Sequence, residues 1–189
     1  MLLSLLIRSR LKATLVKRFA RDQHGVTVVE VALLAIPFFA LIGAILETAV
    51  VFLASQILDG AVQDSGRLIR TGQAQSNSPT PYSATDFQNA ICSRLFNLFD
   101  CTKLQVSVTV VSNFATATVP PSPLDPSDPS KWTLASTYNP GTGSSVIMVQ
   151  VYYKWPVILN FDGFNLATSS DGTHLLGAVR VFANEPFTS

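Results

Sequence analysis

The longest apolar stretch of the chain lies near its start. Val31–Leu46 carries no charged residue and is bounded by Glu30 and Glu47. From Glu30 to Glu47 is seventeen steps, or about 25 Å of helix at ~1.5 Å per residue. That is a little short of a hydrocarbon core of roughly 30 Å. Apolar residues on both flanks, Val26–Val29 and much of Thr48–Leu58, extend it to spanning length. Beyond it Ile57, Leu58, Ala61, Val62, Ser65, Leu68 and Ile69 keep a helical period, with Asp59, Gln63, Asp64, Arg67 and Arg70 between them. The pattern predicts one helix from Val26 to about Thr71, stopped at Gly72. Pro37 within it removes a backbone donor and should loosen or bend it. Met1–Ile7 is also apolar, but seven residues cannot span.

The rest of the chain changes period. Gln73–Pro81 reads as a polar loop. Thr85 is a candidate cap for a second helix over Asp86–Phe99, with Phe87, Ile91, Leu95 and Leu98 on one face. Leu104–Val110 then alternates apolar and polar residues, as a half-buried strand does, and Phe114–Val119 is read as its hairpin partner. Pro120–Pro140 contains six prolines and is expected to be a long irregular loop. Ser145–Trp155 and Leu175–Phe182 are predicted strands. Helices followed by strands indicate an α+β fold, an antiparallel sheet packed against the long N-terminal helix. The expected organisation is a basic leader at 1–25, a helix at 26–72 and an exported α+β domain at 73–189.

Charge adds a direction. Residues 1–25 hold six basic residues and one acid, whereas residues 26–189 hold seven basic and eleven acidic ones. The excess of Lys and Arg before the apolar run places the N-terminus in the cytoplasm and the remainder across the membrane. No basic patch follows Gly25, which argues against a nucleic-acid partner. The two cysteines, Cys92 and Cys101, admit either one disulfide or two reduced buried thiols; an exported segment favours the disulfide. His24 and His174 are the two histidines, too few for a metal site, and no cofactor is expected. His174 follows Asp171-Gly172-Thr173, a turn entering a strand, and no base–nucleophile arrangement accompanies it. The expectation is therefore that the protein is not an enzyme and has no small-molecule substrate. Trp132, Tyr152, Tyr153 and Trp155 could line a binding surface, although strand aromatics more often form core or cross-strand pairs.

The remaining chemistry sits at the helix start. Gly25 lacks a side chain that would hinder a peptidase, although a glycine also begins many ordinary helices. Glu30 stands at the head of an apolar helix, where a carboxylate costs about 2.5–3.5 kcal/mol if it reaches the bilayer centre; an interfacial Glu reaching water is the plainer alternative. A basic leader, Gly25, and an acid five residues on at the mouth of an apolar helix resemble the substrate of a type IV prepilin peptidase. The stretch from Arg21 through Gly25-Val26-Thr27-Val28-Val29-Glu30 to Pro37 resembles the start of the TadE/TadG family of Tad (Flp, tight adherence) pilus assembly proteins. Ala61, Arg67 and Thr71-Gly72 are similar to the continuation of that pattern, and Val181–Phe187 to its closing segment, apart from Ala183 where a basic residue is expected. The resemblance implies a pilin-like fold and a minor pseudopilin cut between Gly25 and Val26. It also implies a single-pass anchor in the bacterial inner membrane, with pilin or pseudopilin subunits and the peptidase as partners. Glu30 would then pair with the new Val26 amine, its own or a neighbour's, and Pro37 would belong to the same assembly segment. The competing reading is an uncleaved single-pass protein that presents an exported binding domain.

Overall fold

The computed structural model describes residues 26–76, 80–119, 122–161 and 163–187. The chain divides into two compact units, with the boundary between Ile45 and Leu46. Helix α1, Val26–Arg70, crosses that boundary without interruption. It is long and apolar enough to cross a membrane, and none of its most apolar stretch is buried by the rest of the protein. In the first unit the side chains face outward: Leu33, Ile36 and Phe39 are 73%, 76% and 66% exposed. The helix continues through Pro37. A proline there leaves the Leu33 carbonyl without its usual donor four residues on.

In the second unit α1 has two faces. Val51, Ala54, Leu58, Ala61, Val62, Ser65 and Ile69 are buried, three or four residues apart apart from one adjacent pair. Gln63, Asp64, Arg67 and Arg70 stay exposed. The buried stripe joins one core with Phe87, Ile91 and Leu95, with strand residues Val108, Val149 and Val151, and with Tyr153. After Arg70, Gly72 adopts φ +78°, the left-handed conformation that ends a helix, and its amide reaches the Ile69 carbonyl at 3.1 Å. A single turn, α2 (Gln73–Ser76), follows.

Helix α3 is Ala84–Cys92, shorter than predicted and started by a different residue. Ser83, not Thr85, is its cap: the Ser83 hydroxyl accepts from the Asp86 amide while the Asp86 carboxylate accepts from the Ser83 amide. The helix does not reach Phe99, because Phe96 and Asn97 take positive φ values of 51° and 57°. The chain turns there, so Leu98 is exposed and Phe99 replaces it in the core.

The main sheet has the order β2-β1-β3-β6, built from β1 (Gln105–Val111), β2 (Thr137–Tyr138), β3 (Val146–Pro156) and β6 (Thr173–Ala183). β1 pairs antiparallel with β3, Val108 opposite Val149, and β3 pairs antiparallel with β6, Val149 opposite Arg180. β2 lies parallel to β1, so the sheet is mixed and not wholly antiparallel. The predicted hairpin partner of β1 is also corrected. Phe114–Thr116 is a 3-10 turn capped by Asn113, and β3 takes its place beside β1. β3 is buried on both faces: Ile147, Val149 and Val151 enter the main core, while Met148, Gln150 and Tyr152 are buried on the other side. A two-stranded hairpin, β4 (Asn160–Phe161) with β5 (Phe164–Asn165), precedes β6. The architecture is α+β, a long apolar helix followed by a small domain with a short helix and a mixed sheet.

Candidate functional site

Of the residues at the helix start, Gly25 lies outside those described, and Val26 is the first residue of α1. Glu30 follows four residues later, about 6 Å along the axis at ~1.5 Å per residue. Its neighbours Val28, Val29, Val31, Leu33 and Leu34 are all exposed hydrophobics. Among the described residues the Glu30 side chain makes no hydrogen bond or ion pair, and the nearest basic residue after Val26 is Arg67. A carboxylate on such a surface is tolerated in lipid only with a cation or a strong donor beside it. Pro37, two turns later, removes a donor from the same outward-facing helix. Glu30 and Pro37 thus mark two polar irregularities, one charged and one a freed backbone carbonyl, on an otherwise apolar cylinder.

The conspicuous side-chain chemistry of the second unit is structural. Cys92 and Cys101 form a disulfide with Cα atoms 6.0 Å apart. It joins the last residue of α3 to the turn just before β1. That turn is held independently: Asp100 accepts from the Thr102 amide at 3.1 Å, and the Gln88 side chain donates to the Cys101 carbonyl at 2.7 Å. Hydrogen bonds from Thr102 and the Lys103 ammonium hold the Asp100 carboxyl below its ordinary range. Phe96, inside the loop closed by the disulfide, is 80% exposed.

Three contacts had no clear signal in the sequence. Glu47, at the far end of the uncharged run, accepts hydrogen bonds from the backbone amides of Ile158 at 2.6 Å and Leu159 at 3.1 Å. Asp59 and Arg180 form an ion pair between α1 and β6. At the opposite end of the helix, the Glu185 amide donates to the Arg70 carbonyl at 2.8 Å. A side chain at Gly72 would meet the Phe187 ring at 2.8 Å, so the helix stop and the closing segment fit against one another. The Asn184 side chain donates to the carbonyls of Pro140 and Thr142 at 3.0 and 2.9 Å, fastening the same segment to the loop before β3. Ala183 carries no charge, and the ion pair of this segment falls instead between Arg70 and Glu185, at 3.9 Å and well exposed. Such a pair contributes little to stability.

The proline-rich loop is better anchored than its composition indicates. Lys154 donates to the Pro129 carbonyl and to Asp171, and its ammonium lies 5.2 Å from the centre of the Trp132 ring. Ser107 and Thr137 share a hydrogen bond of 2.8 Å where β2 meets β1. Tyr138 is pressed against Phe87, and burial pushes its phenol up to about 12. Tyr153 and Trp155 pack edge-on against Phe99 and so belong to core packing. His174 bonds through Nδ1 to the Leu166 carbonyl at 2.5 Å. Among the described residues no group of three His, Cys, Asp or Glu side chains is arranged to hold a metal.

No curated protein and no solved structure matches the chain. A family model does match the helix that carries Glu30 and Pro37. Residues 25–67 match the family described as TadE-like protein.

Proposed function

We propose that the chain is a minor pseudopilin-type component that assists assembly of a Tad (Flp) pilus, acting as a structural part and not as a catalyst. In this reading a prepilin peptidase cuts between Gly25 and Val26 on the cytoplasmic side of the bacterial inner membrane. The first half of α1 stays in the bilayer, and the α+β domain stands on the far side. Cleavage creates the amine that Glu30 lacks. Within a helix bundle the Val26 ammonium of a neighbouring subunit and the Glu30 carboxylate each offset the other's desolvation, and a single register satisfies both. The observation that supports the reading most is the placement of the family match. It begins at Gly25, contains Glu30 and Pro37, and takes in the most apolar stretch of the helix, which faces outward and is not buried by the rest of the protein.

The test is assembly at constant protein level. Glu30→Gln keeps the shape and removes the charge, and Glu30→Ala removes the side chain. Both variants should insert and fold, Glu30→Ala at least as readily as the native chain, because the cost of a carboxylate in lipid disappears. Pilus output and co-purification with other pilus subunits should fall. Normal piliation by Glu30→Ala at normal abundance and processing would reduce Glu30 to an interfacial residue and remove the pairing argument.

A further inference from the structure

From the last two residues of β3 to the end of β4 the chain is uncharged and reads Trp155-Pro156-Val157-Ile158-Leu159-Asn160-Phe161. Its apolar side chains are not all used in the core. Ile158 is 85% exposed, and Phe161 is 38% exposed and stacked on Phe164 across the hairpin, with ring centroids 5.4 Å apart. Exposed apolar residues clustered on one hairpin mark a contact surface. What covers this one follows from where it is fastened. The backbone amides of Ile158 and Leu159 donate to the Glu47 carboxylate. Glu47 is the residue immediately after the uncharged run Val31–Leu46. The hairpin is therefore held within one side-chain length of the point at which the apolar helix meets its first charge. The helix surface beside that point is also apolar and open, with Phe52 and Leu53 67% and 56% exposed. A groove of about 340 Å³ follows on, lined by Val51, Phe52, Leu166 and Leu176 among others.

We propose that the apolar stretch Val157–Phe161, with Phe164 stacked on it, is a membrane-interface element that rests in the headgroup region of the leaflet where α1 leaves the bilayer. Segments that lie at this depth bury large apolar side chains such as Phe and Leu at the boundary between headgroups and acyl chains and keep their polar side in water. Fastening both amides to Glu47 serves two ends. It occupies the donors that an irregular backbone could not leave unpaired near lipid, and it fixes the hairpin to the helix. The domain then has two attachments to the membrane surface, the helix and the hairpin, which restrict its rotation about the helix axis. The inference rests on the membrane-anchored reading of α1 but not on cleavage or on pilus assembly.

The experiment uses the full chain in vesicles of phosphatidylethanolamine and phosphatidylglycerol, with the disulfide intact. A small uncharged fluorophore is placed on Ile158→Cys, Phe39→Cys or Ala115→Cys. Ala115 lies just past the end of β1, which pairs with the start of β3, at the opposite end of the strand from the hairpin. Lipids carrying a nitroxide near the headgroup or deep in the acyl chain serve as quenchers. The expected result is loss of emission at Ile158 to the shallow quencher, at Phe39 to the deep one, and at Ala115 to neither. An Ile158 probe that behaves like Ala115 while Phe39 is quenched would overturn the hairpin proposal and leave the anchor intact. A Phe39 probe untouched by either lipid would overturn the anchor and the hairpin together. An Ile158 probe shielded from both lipid and aqueous quencher, to a degree that grows with protein-to-lipid ratio, would assign the surface to a second copy and also overturn the proposal.

Discussion

The two halves of α1 obey the same helical geometry and answer to different surroundings. Between Val28 and Ile45 the large hydrophobics face outward on every side, and nothing in their own compact unit covers them. Between Leu46 and Arg70 a stripe from Val51 to Ile69 is buried in the domain core, and the other face, still apolar at Val50, Phe52 and Leu53, becomes polar by Gln63 and Asp64. A helix apolar all round requires a surrounding that is apolar all round; one with a stripe requires only a partner on one side. Burial of the stripe begins at Val51, just past Glu47, the first charge after the uncharged run. The continuous helix therefore has one end suited to lipid or to other helices and one end that is part of a folded domain.

If that division is right, substitutions in the two halves should affect different measurements. Leu58 is fully buried in the domain core, and Leu58→Ala should lower the unfolding free energy by about 2–5 kcal/mol. Leu41, 61% exposed, should change it by no more than about 0.5 kcal/mol when replaced by Ala. Denaturant titration in detergent, followed by fluorescence of Trp132 and Trp155, measures both because the two tryptophans of the chain lie in the domain. Equal losses from the two variants would break the comparison. Replacing Cys92 and Cys101 together by Ser should cost the domain about 2–3 kcal/mol in the chain-entropy picture for so short a loop. Attachment to membranes, measured by resistance to alkaline extraction, should not change. Loss of attachment would tie the disulfide to the anchor and contradict the division.

Acid should also act on the domain alone. Hydrogen bonds from Ser83 hold the Asp86 carboxyl below its ordinary range, and those from Thr102 and Lys103 do the same for Asp100. A carboxyl whose folded pKa is depressed contributes stability that is fully present above the ordinary Asp value of about 3.9. That stability is lost as the pH falls through the depressed folded value. The denaturation midpoint should therefore hold near neutrality and drop below about pH 4, and Asp86→Ala should make that drop shallower. A midpoint independent of pH down to about 3 would show that these caps contribute nothing. The smallest effect is expected at Ser65, whose buried hydroxyl has no hydrogen-bond partner among the described residues. Ser65→Ala removes an unsatisfied group and should leave stability unchanged or raise it by up to about 1 kcal/mol. A clear loss of stability in the same titration would mean that the hydroxyl is bonded in solution.

The division within α1 was legible from the sequence because both halves are local patterns. The uncharged run and the stripe Leu58, Ala61, Val62, Ser65, Ile69 can be counted along the chain, and β1 and β3 show their alternation or their β-branched content. The local pattern misleads where the placement of a partner residue decides. Thr85 has the right chemistry for a cap, but Ser83 wins because Asp86 stands at the position that completes a reciprocal pair. Phe114–Val119 was the nearest strand-like segment to β1, yet β3 supplies a full seven-residue register against it. The parallel strand β2 is two residues long, too short to leave a period. At the candidate site, Glu30, Pro37 and the cysteine pair were visible as isolated residues in telling positions. The Glu47 contact was not, because backbone amides accept any sequence and Ile158 lies 111 residues away. The closing segment Val181–Phe187 was singled out by resemblance, but its fit against Gly72 could be seen only in three dimensions.

The most direct test of the account is the identity of the first residue. Membrane-extracted protein from its own host, examined by intact mass and N-terminal sequencing, should begin at Val26, and Gly25→Leu should leave the precursor to accumulate. Mature protein that still begins at Met1 would contradict the proposed function, because Glu30 would then have no new amine to meet.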